Sequence, residues 1–125
     1  MVTFLKNKII LTLFCLFFSY SRSSAEIRYV PNEYPTIQAA INASQNGDEV
    51  VIANGVYSGP GNYNINFIGR AITVRSQSGD PNLCIVDIQG QYNGLLERGF
   101  MFEFGEGPNS VLRDLTIKNG VADAP

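Results

Sequence analysis

The 125-residue chain contains no histidine and no tryptophan. Without histidine there is no Ser-His-Asp triad, no imidazole-ligated zinc and no histidine pH switch, so any chemistry must run on carboxylates, arginine, lysine or tyrosine. Cysteine is scarce, with Cys15 and Cys84 its two copies. Charged residues make up 16% of the chain against 45% hydrophobic ones, which places it among globular sequences and outside the disordered class. At this length one small domain is the ceiling. Long apolar runs are lacking too, and the longest, Ile9 to Phe18, has ten residues.

That run carries the pattern of a secretory signal. Lys6 and Lys8 form a basic start, Ile9 to Phe18 the apolar middle, and Ser23 and Ala25 the small residues before a cut after Ala25. A membrane anchor needs more, because ten helical residues span roughly 15 Å, half of a hydrocarbon core. Cys15 lies inside the apolar run behind Phe14, which disqualifies it as a lipid-attachment site. The mature chain is therefore expected to begin at Glu26, secreted or at the cell surface, with no stable membrane span. Cys84 is then the one cysteine left, so an intrachain disulfide is excluded despite an oxidising destination. In CIVDI it reads as a buried small hydrophobe. Six basic residues remain against eleven acidic ones, and that negative balance argues against nucleic acid or an anionic membrane as partner.

Past Pro31 and Pro35, Thr36 reads as a helix N-cap. Ile37, Ala40, Ile41 and Ser44 follow at i, i+3, i+4 and i+7, one narrow apolar face, with Gln38 and Asn42 turned outward. The pattern predicts a helix from Thr36 to Gln45, stopped by Asn46-Gly47 and too short to stand undocked. From Gly47 the texture changes, since all twelve glycines fall between Gly47 and Gly120 and punctuate short β-branched and aromatic runs. Strands are predicted at Glu49 to Ala53, Asn64 to Ile68, Ala71 to Arg75, Cys84 to Ile88, Phe100 to Phe104 and Val111 to Lys118. Alternation gives an inward and an outward face to Ile72–Arg75, Phe100–Phe104 and Leu115–Lys118. Ile52 and Val74 lie 22 residues apart and Val74 and Ile117 43, while ITVRS (72–76) and LTIKN (115–119) share one texture. Such a period fits a coiled sheet whose turns stack. An antiparallel sandwich of meandering strands fits it equally well.

The stretch VPNEYPTIQAAINASQNGDEVVIANGVYSG (30–59) resembles the N-terminal cap and first turn of secreted right-handed parallel β-helix proteins, the pectin-lyase-like superfamily. INFIGRAITVRSQSGDPNLCIVDIQG (65–90) and GFMFEFGEGPNSVLRDLTIKNG (99–120) are similar to its early rungs. The resemblance implies an all-β single-stranded solenoid with a short capping helix. Residues 1–25 would be the signal peptide, 26–46 the cap and 47–125 the first rungs of a longer protein. It implies polysaccharide as the partner class, and either an enzyme (lyase, hydrolase or esterase) or a non-enzymatic adhesin-type surface protein. Ile37, Ala40 and Ile41 would form the inner face of the lid, and Asn119 would either start a turn-lining asparagine ladder or be a plain solvent-facing turn residue; the far edge of this N-terminal part would recruit further copies, whereas a chain extended by several rungs would be monomeric. Pectin methylesterases share Tyr34, Thr36-Ile37-Gln38-Ala39-Ala40 and Gly55-Val56-Tyr57, but Gly59 stands where they commonly carry Glu, and their catalytic stretches have no counterpart. No catalytic, cofactor-binding or metal residue is therefore carried over.

On the residues alone, Asp87, Glu97, Glu103, Glu106 and Asp114 are the candidates for a glycosidase pair or a calcium site. Spacing does not show them converging. Asp87 and Glu103 read as outward strand residues and Asp114 as a neighbour of Arg113, each expected to be a solvated surface group. Tyr29, Tyr34, Tyr57, Tyr63 and Tyr92 have the chemistry to stack on sugars, yet scattered tyrosines in a β protein are expected to pack. The glycines around Gly105 and Gly107 lack the strand-to-helix setting of a phosphate loop.

Overall fold

The computed structural model describes residues 24–92 and 94–121, so the expected signal segment lies outside the described part except for its last two residues. The β-branched runs form strands, where such side chains pack well on a pleated surface. These are β1 (Ile27–Val30), β2 (Glu49–Ile52), β3 (Gly55–Tyr57), β4 (Ile65–Asn66), β5 (Thr73–Ser76), β6 (Cys84–Asp87), β7 (Gln91–Tyr92), β8 (Leu95–Leu96), β9 (Phe100–Met101), β10 (Val111–Arg113) and β11 (Thr116–Lys118). One helix, α1 (Ile37–Ala43), precedes β2. The first sheet has the order β1-β2-β5-β10, the second β11-β6-β3, and the third pairs β4 with β9. Every pairing in these three is parallel. From β2 onward the chain visits first, second and third sheet in turn, then repeats that order from β5 and begins it again at β10. Only the small β7–β8 hairpin among the described strands is antiparallel. The all-strand expectation holds, and the antiparallel sandwich is overturned.

Parallel register superimposes like residues. Val50 lies against Val74, Val74 against Leu112, and Val86 between Tyr57 and Ile117. The inward residues Val50, Ile52, Ile65, Phe67, Ile72, Val74, Cys84, Val86 and Ile88 form one fully buried cluster. Each large member contributes about 1.5–3 kcal/mol of burial. Cys84 is the small hydrophobe expected, and burial pushes its thiol up to about 11.

The spacing departs from expectation. Val50 pairs with Val74, 24 residues on rather than 22, and Leu112 follows 38 residues after Val74. The longer second pass accommodates the hairpin and the 102–110 loop. The textures ITVRS and LTIKN do not stack, since the first runs through β5 in the first sheet and the second through β11, paired with β6 in the second. Val111 to Lys118 is two strands because Asp114, at φ 60, turns the chain from one sheet to the next. The Phe100–Phe104 strand stops at Met101, where its partner β4 ends, and leaves Phe102 48% and Phe104 64% exposed.

Thr36 is the N-cap, its hydroxyl accepting from the Ala39 N–H, but the helix ends at Ala43. Ser44 turns to an extended conformation and its hydroxyl donates to the Ala40 carbonyl at 2.8 Å, one turn before Asn46-Gly47. Ile37, Ala40 and Ile41 are wholly buried, as the apolar face predicts, and the helix packs against β1, β2 and β4. Gln38 does not point away. Its Nε2 donates to the Asn66 carbonyl (3.1 Å) and its Oε1 accepts from the Asn66 N–H (2.7 Å), so a side-chain amide stands where a neighbouring strand would pair with β4. Glu33 acts alike at β1, accepting from the Tyr29 N–H at 3.1 Å while the Tyr29 carbonyl accepts from the N–H groups of Glu33 and Tyr34. Gly61, at φ +88, lets its loop close on the helix start, where a Cβ would meet Thr36 Oγ1 at 2.7 Å.

Candidate functional site

The five carboxylates fall into two environments. Asp87, on the outer face of β6, accepts from Asn119 Nδ2 (2.8 Å) and the Gln89 N–H (3.1 Å) and lies 3.3 Å from Lys118 Nζ. The Asn119 bond, against a desolvation cost and with help from Gln89 and Lys118, holds its carboxyl below the usual range. Asn119, at φ 59, thus bonds to a carboxylate of the preceding pass. Asp114 pairs with the neighbouring Arg113, and Glu103 lies 3.8 Å from Arg98. Glu106 accepts from the N–H groups of Gly69 and Phe104, both at 2.8 Å, and fastens two loops together. Desolvation opposes its ionisation, but those bonds prevail and its carboxyl also lies below the usual range.

Glu97 is in the second environment. It is 4% exposed and accepts from Asn64 Nδ2. Asn64 in turn bonds to the next residue of that segment through both amide groups, its Oδ1 accepting from the Arg98 N–H at 2.8 Å and its own N–H donating to the Arg98 carbonyl at 2.7 Å. The Arg98 guanidinium then reaches Glu103. Glu97, Asn64, Arg98 and Glu103 therefore form a network in which two of the five candidate carboxylates are linked. Beside it opens a cavity of about 560 Å³ lined by Asn64, Gly94, Leu95, Leu96 and Glu97. The parallel pairing of β4 with β9 creates the site by bringing together Asn64 and Glu97, 33 residues apart. No local motif marks it, because Asn64 and Glu97 lie 33 residues apart and meet only through the sheet pairing.

Asp48, overlooked among the candidates, is the most thoroughly bonded carboxylate. It is buried and accepts from the Glu26 N–H (2.9 Å), the Gln45 N–H (2.8 Å) and Arg28 Nη2 (2.9 Å). Burial alone would raise its pKa, but the two backbone donors and the guanidinium bring it below 3.8. Arg28 also reaches Glu26 at 3.0 Å and the Tyr34 hydroxyl at 3.2 Å. This knot joins the segment before β1, the helix end and β1, and within it Arg28 Nε is buried without a hydrogen-bond partner among the described residues. Tyr34, Tyr57 and Tyr63 pack against the core, as expected of scattered tyrosines. No group of three or more Cys, Asp or Glu side chains gathers to hold a metal among the described residues, and no described helix is long and apolar enough to cross a membrane. No protein-family model matches the chain, and no curated protein or solved structure matches it.

Proposed function

We propose that this is an exported right-handed parallel β-helix protein of the pectin-lyase-like kind, with a polysaccharide as its partner. The observation that carries the reading is the repeated first-second-third order of parallel sheets, with α1 seated on the strands where the order begins. A stack of parallel passes offers a stiff, elongated surface, which suits a polymer better than a small solute. The Glu97–Asn64 network and its cavity are the part of that surface with converging polar groups. An enzymatic lyase, hydrolase or esterase and a binding protein or adhesin differ in whether a carboxylate is free to act. Asp87, Glu103 and Asp114 in ion pairs, and Glu106 in backbone bonds, favour binding.

The test is to incubate the secreted protein with insoluble plant and microbial polysaccharides, measure its depletion from solution, and assay the supernatant for reducing ends, unsaturated products and released methanol. Depletion without product is the expected result. Product formation would assign the enzymatic class, and absence of depletion from every polymer would overturn the carbohydrate reading. N-terminal sequencing of the same material should begin at Glu26, whereas intact Met1 in a membrane fraction would contradict export.

The reading includes association between copies. β1 and β4 have their outer backbone groups occupied by Glu33 and Gln38, while β10 and β11 end their sheets with Ile117 and Val121 exposed nearby. Unpaired strand edges recruit strands.

A further inference from the structure

We propose that the cavity beside β8 is a subsite for a neutral sugar unit, recognised by Glu97 and Asn64 through one hydroxyl and by Leu95 and Leu96 through the sugar's C–H face. The inference rests on the carbohydrate reading and names the substrate class of its site. Glu97 is nearly excluded from solvent, and burying a carboxylate is costly unless it is well supplied with donors. The guanidinium of the adjacent Arg98 is directed to Glu103 instead. An ionised carboxylate has about four acceptor positions, and Asn64 Nδ2, which has two hydrogens, gives Glu97 one of them. Acceptor and donor therefore stand side by side at the cavity wall. A hydroxyl both donates and accepts, so it complements that pair, whereas an ammonium group only donates and a second carboxylate only accepts.

The rest of the wall is apolar. Leu95 is 68% exposed and Leu96 partly so, and both line the cavity with Gly94 between the hairpin strands. Aliphatic surface opposite a polar pair matches the two characters of a pyranose, an apolar ring face and a hydroxyl edge. The volume falls in the range of small-ligand sites. A uronate would bring its own carboxylate up to Glu97 without a counter-charge, so the pocket selects for uncharged units. The hairpin is an addition to the plain pass through the sheets: the first pass, from β2 to β5, has no counterpart to it.

The experiment is an NMR titration of the full mature chain with cellotetraose, mannotetraose and β-1,4-galactotetraose as neutral probes, tetragalacturonate as the acidic probe and calcium chloride alone. The proposal expects at least one neutral probe to shift the amide signals of Asn64 and residues 94–97. It expects that affinity to fall about tenfold in Glu97→Gln, as for loss of a hydrogen bond to a charged group, and by a similar factor in Leu95→Asp. Leu95 is exposed, so its variant keeps the fold even if Glu97→Gln proves unstable. Native affinity retained in both variants, or the same shifts from tetragalacturonate or calcium alone, would overturn the subsite. Shifts confined to the strand faces, with residues 94–97 silent, would overturn it while leaving the carbohydrate reading standing. Silence to every saccharide would overturn both.

Discussion

The two ends of the strand stack obey one pattern and reach opposite outcomes. Where α1 lies, Ile37, Ala40 and Ile41 are wholly buried, and the outer edges of β1 and β4 are closed by Glu33 and Gln38. At the other end β10 and β11 are edge strands, and Ile117, which occupies the inward register position above Val86, is 43% exposed. Alternation makes a residue point inward, but burial requires a layer on each side. A strand's exposure in a parallel stack is thus a property of its place in the order and not of its own sequence. Closing an edge takes specific polar groups as well as apolar cover, and here one glutamine and one glutamate provide them.

The strongest way to break the capped end is Ile41→Asp. It puts an unpaired charge into the helix–sheet contact and should cost roughly 4 kcal/mol, read as a large fall in the midpoint of chemical denaturation. A neutral outcome would mean that the helix does not hold the end closed. Next is Asp48→Ala, which takes the buried carboxylate from Arg28, leaves it Glu26 and Tyr34, frees the Glu26 and Gln45 N–H groups of their acceptor, and should cost about 3 kcal/mol. The same carboxylate sets a pH dependence. Its folded pKa is depressed, so its contribution is complete above the unfolded value near 4 and disappears as pH falls through the folded one. Denaturation midpoints of the native chain should drop below pH 4 more steeply than those of Asp48→Ala. Parallel curves would show that the knot carries no linkage.

A smaller effect is expected from Gln38→Ala. It removes both bonds to Asn66 at a cost of about 1–2 kcal/mol and reopens the edge of β4, so sedimentation should show greater association than the native chain at equal concentration. Unchanged sedimentation would mean that the amide contributes stability without guarding the edge. The smallest effect belongs to the open end. Ile117→Thr should alter monomer stability by no more than about 1 kcal/mol, because the side chain is only half-buried, yet reduce self-association. A loss of several kcal/mol would place Ile117 in a core and remove the contrast between the ends.

The same contrast explains what the residues revealed in advance. The face Ile37, Ala40, Ile41 and the inward set Cys84, Val86, Ile88 were legible because both lie where layers exist on either side, and period alone decides them. Phe102, Phe104 and Ile117 alternate just as clearly but lack a covering layer, so period misled. Matching ITVRS with LTIKN failed because local texture reports strand character and not which sheet a strand joins. The three-residue β3 and two-residue β7 and β8 are too short to show any period. Gln38 looked solvent-facing by helical spacing, and only the position of β4 reveals its use. The Glu97–Asn64 cavity is hidden for a related reason: Glu97 is a candidate by residue type, but its partner is reached across a sheet pairing that no local pattern encodes.

Amide hydrogen exchange on the protein, at a concentration where it is monomeric, tests the contrast between flanked and edge strands most directly. Among the described strands, β2 and β5 each lie between two others, whereas β10 and β11 each have one partner. Amides of Val50–Ile52 and Thr73–Ser76 should exchange only through global unfolding, and those of Val111–Arg113 and Thr116–Lys118 should exchange orders of magnitude faster through local opening. Equal protection of β10 and β5 would contradict the contrast between strands flanked on both sides and edge strands.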